Sequence, residues 1–180
     1  NTEAPEVTTV PETKDSEPTI DEIYLPATHK YSVWYSDYDF ESEQLHYLYD
    51  LCQQYDIDIR FVLAEIATES GFRSQVKNKY SSATGYGQVV KGTAEWVYEN
   101  LLKRGDYDPS RHEELMKDWK LNMDIMMRLI KWLNDRYGTY QKTAMYYHGS
   151  TSYDSNVDYA NRVSSKLTEL FGITMADIER

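Results

Sequence analysis

Residues 59–72 read Ile59-Arg60-Phe61-Val62-Leu63-Ala64-Glu65-Ile66-Ala67-Thr68-Glu69-Ser70-Gly71-Phe72. Ile59, Val62, Leu63 and Ile66 recur at steps of three and four, the spacing that lays an apolar stripe along an α-helix. Asp56 and Asp58 stand just before the run and offer side-chain oxygens to the free N–H groups of a first turn. Gly71 stands where the helix should stop, because glycine enters the left-handed backbone of a helix end at no Cβ cost. The stretch predicts a helix that ends near Ser70, with Glu69 in its last turn. A carboxylate that closes an apolar helix and opens on a glycine-bearing loop suits a half-buried position at a cleft edge. Burial there disfavours the charged form and raises the pKa, as general-acid work requires. Taken by itself, the same glutamate also reads as an ordinary solvated charge.

Outward from this helix, the pattern stays helical. Ser42 is a cap for a helix through Tyr55, along which Leu45, Leu48, Cys52 and Tyr55 share a face. Cys52 is the one cysteine in the chain. It therefore cannot form an intrachain disulfide, and it reads as a buried helical thiol. Residues 71–92 are polar, carry Gly85, Gly87 and Gly92, and read as a loop. Thr93 caps a predicted helix to about Lys103, and Gly105–Pro109 is a turn before a short helix. The strongest periodic segment is Trp119–Tyr137, where Met123, Met126 or Met127, Ile130 and Leu133 are spaced for burial. Those methionines and Trp132 read as core packing. Helices across Lys142–Tyr147 and Asn156–Phe171 complete the set. The fold class is mainly α.

With 180 residues and an apolar share of 41%, the chain can form one domain with a substantial core. No run of about 18 apolar residues is present, so no membrane span is expected. Residues 1–20 are rich in Thr, Glu and Pro and read as a linker or tether. Residues 21–40 hold Ile23, Tyr24, Leu25, Tyr31, Val33, Trp34, Tyr35, Tyr38 and Phe40, and are expected to lie, partly extended, against the domain. The division is thus an acidic linker or tail over 1–40 and a domain over 41–180. The chain starts at Asn1 with no apolar leader, and is read as a mature or trimmed form whose export signal has been removed.

The formal net charge is −11. Residues 1–43 carry 11 acidic and 2 basic side chains, and the remainder 19 acidic and 17 basic. The acidity therefore belongs to the tail. No basic face follows a phosphate backbone, so nucleic acid is not an expected partner. The four histidines, at 29, 46, 112 and 148, lack ligand spacing. Asp106-x-Asp108-x-Ser110 reads better as a helix cap at Asp108-Pro109 than as a calcium loop. No metal or cofactor is expected.

Gly85-Tyr86-Gly87-Gln88-Val89-Val90, followed by Thr93-Ala94, changes the weight on Glu69. With Glu69-Ser70 ahead of it, this block resembles the catalytic domain of the soluble lytic transglycosylase family, within the lysozyme superfamily. That family shows Glu-Ser ending a helix, then Gly-Leu-Met-Gln, an aliphatic pair and often Pro-x-Thr-Ala. Asp118, Asn122 and Trp132-Leu133 resemble its long middle helix. Met145-Tyr146-Tyr147-His148-Gly149 resembles its Ala-Tyr-Asn-x-Gly block, and Tyr159-Ala160-Asn161-Arg162-Val163 its final Tyr-x-x-Arg-Val. The blocks occur in family order over about residues 44–172. The departures are Tyr86-Gly87 for Leu-Met, Lys91 for the proline and Tyr147 for the asparagine. A serine the family often uses has two candidates, Ser81 and Ser82.

The resemblance implies a lysozyme-like helical domain with a catalytic cleft that acts on peptidoglycan glycan strands, as a monomer, outside the cell or in its envelope, with the N-terminal segment as a possible tether. It makes Glu69 the acid that protonates the oxygen between N-acetylmuramic acid and N-acetylglucosamine. Gly85 and Gln88 line the sugar cleft, Tyr146 and Tyr159 hydrogen-bond Glu69 or substrate, and Tyr147 stacks on a sugar. His148 is a further candidate for substrate contact. Ordinary glycosidases use two carboxylates. Glu65, one turn before Glu69, and Asp158 have no motif behind them. A lytic transglycosylase needs only one, because the muramic acid 6-hydroxyl attacks its own anomeric carbon to give a 1,6-anhydro product. The alternatives are a hydrolytic muramidase on the same fold and a non-catalytic glycan-binding or scaffold domain.

Overall fold

The computed structural model of the protein describes residues 16–179. Most of the predicted tether, residues 1–15, lies outside the described residues. Among those described, nine α-helices are connected by loops and two short 3-10 turns. They are α1 (Ile20–Thr28), α2 (Ser42–Tyr55), α3 (Ile59–Glu69), α4 (Lys91–Asn100), α5 (His112–Lys117), α6 (Trp119–Tyr137), α7 (Tyr140–His148), α8 (Tyr153–Phe171) and α9 (Met175–Ile178). The mainly α expectation agrees with this arrangement.

α3 sits at the centre. Phe61, Val62, Leu63, Ala64, Glu65 and Ile66 are all 0% exposed. The expected stripe is therefore too narrow a description, since almost every face of the helix is covered. α8 packs along it and α2 meets it; α7 joins α8 to α6, and α6 in turn supports α2. Burying a Phe, Val, Leu or Ile side chain is worth about 1.5–3 kcal/mol each, so the helix that ends in Glu69 is firmly held. Asp58 caps it by accepting from the Arg60 N–H. Asp56 instead ends α2, with a left-handed φ of 55°.

Several boundaries shift. α2 is capped by Glu41, not Ser42, whose hydroxyl donates to Asp21 at 2.6 Å. α4 begins at Lys91 and takes in Gly92 and Thr93, so Thr93 is not its cap. α6 has its expected bounds, and Met123, Met126, Met127, Ile130 and Leu133 are buried in it. Trp132 lies only partly buried, edge-on to Trp96 at 4.8 Å. Cys52 is buried in α2, as read. Asp108 caps the turn at Pro109.

The larger difference lies ahead of residue 41. Residues 20–28 are helical rather than extended, started by a capping box in which Thr19 and Glu22 satisfy each other's backbone N–H groups. Tyr31 and Phe40 are 2% and 0% exposed and belong to the main core. The packed body thus reaches back to about residue 20, and position 41 does not mark a break in it.

Candidate active site

The loop over 70–90 leaves α3 through two consecutive left-handed residues, Gly71 at φ 60° and Phe72 at φ 63°. A phenylalanine pays for that conformation, and surrounding contacts must over-determine it. They do: the Phe72 ring lies 5.1 Å from both Tyr31 and Phe40, and its carbonyl accepts from the Asp39 N–H at 3.2 Å. The chain is thereby turned back over the end of α3, where it encloses Glu69.

Glu69 is half-buried and lines a cavity of about 300 Å³. Asn78, Gln88, Thr93, Tyr147 and His148 are among the other lining residues, with Val89, Val90 and Leu129 supplying apolar wall. Tyr159 of α8 donates to Glu69 Oε1 at 2.5 Å. Burial pushes the Glu69 carboxyl up to about 7, against opposing effects of the Tyr159 hydrogen bond and the Arg162 charge. A group that titrates there can be proton donor and proton acceptor in one cycle at neutral pH. His148 stacks on the Tyr159 ring at 4.7 Å, nearly parallel. Burial and the Arg162 charge hold the imidazole below its usual range, so it is neutral at pH 7.

The Gly85–Gln88 block is held from below by Asn122 of α6, which is 0% exposed. Asn122 Nδ2 donates to the Thr84 and Met116 carbonyls at 2.8 and 3.0 Å, and its Oδ1 accepts from the Gly87 N–H at 2.9 Å. Gln88 sits at φ 48° and donates its Nε2 to the Val76 and Gly85 carbonyls, at 3.1 and 3.0 Å. Tyr86, which replaces an apolar family residue, is fully buried and donates to the backbone and side chain of Asp39. Its hydroxyl thereby ties the block to the segment ahead of α2.

Gly85 needs its lack of a side chain. Its φ is 79°, and a Cβ there would come within 2.3 Å of Asn122 Nδ2 and 2.5 Å of the Met116 carbonyl. Gly85→Ala is accordingly expected to cost about 2–4 kcal/mol, read as a lowered denaturation midpoint in urea. Gly85 is buried and is not among the residues of the cavity wall.

Of the two adjacent tyrosines, both expected at the cleft, the structure brings one to it. Tyr147, not Tyr146, faces the cavity, and its hydroxyl donates to the Gly87 carbonyl at 2.7 Å. Tyr146 is 45% exposed and stacks on Tyr137 at 3.8 Å, outside the cavity wall. One residue along a helix rotates a side chain by about 100°, enough to put one tyrosine in the cavity and its neighbour outside it. Ser81 and Ser82 lie outside this cavity as well: Ser81 bonds the Ala83 N–H, and Ser82 accepts from the Lys91 N–H. Asp158 is exposed and does not line it.

Glu65 is the group the sequence reading passed over. It is 0% exposed, and Tyr159 lies 2.5 Å from its Oε2. Its spacing of four from Glu69 put it on the same helix face, which was the available signal.

A family model described as the transglycosylase SLT domain matches residues 47–168. No curated protein matches the chain. Among solved structures, it is similar to the lytic transglycosylase Slt of Pseudomonas aeruginosa, an inactive mutant in which glutamine replaces a glutamate. The TM-score is 0.57 at 13% identity, over 87% of this chain and 29% of that one. It is also similar to the 70 kDa soluble lytic transglycosylase of Escherichia coli, with a TM-score of 0.50 at 18% identity, over 79% of this chain and 23% of that one. At such identities the likeness is one of fold, and the chain spans less than a third of either enzyme.

Proposed function

The chain belongs to the transglycosylase SLT domain family, and on that footing we propose that it is a peptidoglycan lytic transglycosylase with Glu69 as its single catalytic carboxyl. The supporting observation is the cavity wall, in which Glu69 is the one carboxylate among the described residues. Glu65 is near but sealed from the cavity by full burial, so it cannot act as a nucleophile or activate a water there.

Glu69 gives its proton to the oxygen between N-acetylmuramic acid and N-acetylglucosamine as the glycosidic bond breaks. The positive charge that develops at the anomeric carbon is met by the muramic acid 6-hydroxyl. As that oxygen bonds to the anomeric carbon, its proton passes to the Glu69 carboxylate. Glu69 ends the cycle protonated, no water is consumed, and the product carries a 1,6-anhydro ring. Tyr159 donates to the carboxylate formed midway, while Gln88, Tyr147 and His148 are placed to contact sugar. The enzyme is read as a monomer. Its substrate assigns it to the envelope or the cell exterior, with the acidic N-terminal segment as tether. No described helix is long and apolar enough to cross a membrane.

Clearing of purified cell walls tests the proposal: steady clearing is expected, and tight glycan retention without turnover would make the domain a binding module. The pH profile follows from Glu69. The acid must hold its proton when substrate binds, so kcat/KM is expected to fall as pH rises through about 7, the value to which burial lifts the carboxyl. A profile still rising at pH 9 would remove Glu69 from the acid role.

A further inference from the structure

One phenol oxygen stands between two carboxyl groups. The Tyr159 hydroxyl is 2.5 Å from Glu65 Oε2 and 2.5 Å from Glu69 Oε1. Both are hydrogen-bond distances for oxygen pairs. A phenol has one proton and can donate it to one of them only. The other contact must then run the opposite way, with a protonated carboxyl donating to the phenol oxygen. Two bare carboxylates cannot flank this hydroxyl at these distances.

The surroundings say which carboxyl holds the proton. Glu65 is 0% exposed, and its Oε1 has no hydrogen-bond partner among the described residues. An ionised carboxylate there would leave a full charge buried on an oxygen that nothing solvates. Glu69 instead reaches the cavity and feels the Arg162 charge. The other groups that face the trio are Tyr147 and His148 from α7 and Arg162 from α8. Tyr147 is neutral, because burial holds its hydroxyl well above its ordinary range. Neither tyrosine nor the neutral histidine compensates a charge on Glu65.

Resting on the catalytic reading of Glu69, we propose that Glu65 is a positioning residue that stays uncharged, donates its proton to the Tyr159 oxygen, and so commits the single Tyr159 proton to Glu69. The chain of donors runs Glu65 to Tyr159 to Glu69. It supplies the half-buried Glu69 carboxylate with a polarised donor at the moment after proton transfer. Hydrogen-bonded chains of this kind strengthen along their length, and here the far end is an acid that never needs to ionise. Burial pushes the Glu65 carboxyl well above the usual carboxylate range, in keeping with this.

The sign of a pH shift tests the proposal. In Glu65→Leu the donor is lost, the Glu69 carboxylate is less well supported, and its pKa rises. The descending limb of kcat/KM should move to higher pH by about half a unit or more. The same variant should lose about tenfold in kcat with little change in KM, because Glu65 does not reach the cavity. An ionised Glu65 would act in the other direction: its removal takes away a negative neighbour, and the limb would move to lower pH. Glu65→Gln, whose amide N–H can replace the carboxyl donor, should recover most of the lost kcat and bring the limb back towards that of the wild type.

Infrared spectroscopy reads the protonation without any turnover. At pH 9, where Glu69 is ionised, the wild type should keep a protonated-carboxyl band that is absent in Glu65→Gln, whereas below about pH 7 Glu69 adds its own band to both proteins. This holds even if the protein proves inactive on peptidoglycan, so the inference and the functional proposal fail separately. A wild type without such a band at pH 9, or a pH 9 band that survives in Glu65→Gln, would overturn it. If Glu65→Leu does not fold, the glutamine variant and the infrared band decide.

Discussion

Glu69→Gln is expected to stop cell-wall clearing, with kcat/KM reduced by about 10³-fold or more and the fold intact. A positioned acid or base contributes about 10²–10⁴-fold, and here one side chain serves in both halves of the cycle. The amide has nearly the shape of the carboxyl, and its oxygen can still accept from Tyr159, so packing against α8 is preserved. It has no proton of useful acidity to give and cannot accept one. Turbidity assays beside circular dichroism would check this, and equal clearing by the two proteins would refute the assignment. The substitution also carries a stability signature. Glu69 is raised from 4.5 to about 7 by burial, so the stability it contributes is present at low pH and is lost as pH rises through about 7. The melting temperature of Glu69→Gln should therefore fall less between pH 5 and pH 8 than that of the wild type.

Asn122→Ala is expected to cost about 3–5 kcal/mol. The wild-type side chain makes three buried hydrogen bonds, and its loss leaves the Gly87 N–H and the Thr84 and Met116 carbonyls without that partner. The Thr84 carbonyl keeps the Val89 N–H at 3.1 Å, and each buried polar group left without any partner costs about 1–3 kcal/mol, partly relieved where water enters the space. Activity should fall as well, because the same bonds hold the loop that carries Gln88. Urea denaturation would show a lower midpoint with the slope unchanged. A loss under about 1 kcal/mol would mean that the loop is held by Tyr86 and Asp39 instead.

Much of this was legible because helical phase and capping are local. The Trp119–Tyr137 helix has the sequence-predicted bounds, since Asp118 caps it and Gly138 ends it in a left-handed turn. Glu69 is at the last turn of its helix for the same kind of reason: Asp58 starts it and Gly71 stops it. Other features depend on what covers a face, which periodicity does not state. The apolar stripe of α3 says nothing of its other side, where α8 lies along it, and that contact brings Tyr159 onto both Glu65 and Glu69. That Tyr146 points away from the cavity was not legible, because the phase of a nine-residue helix is set by its packing on α6 and α8. The α1 helix has a local signal as well: Thr19-x-x-Glu22 is a capping box.

The mechanistic claim with most at stake is that Glu69 works as acid and then as base without a carboxylate partner in the cavity. Mass spectrometry of the muropeptides released from purified peptidoglycan tests it most directly. The account predicts products lighter by one water than the corresponding hydrolysis products, with 1,6-anhydro ends on muramic acid. Reducing ends in their place would mean that water is the nucleophile, and would make the domain a muramidase.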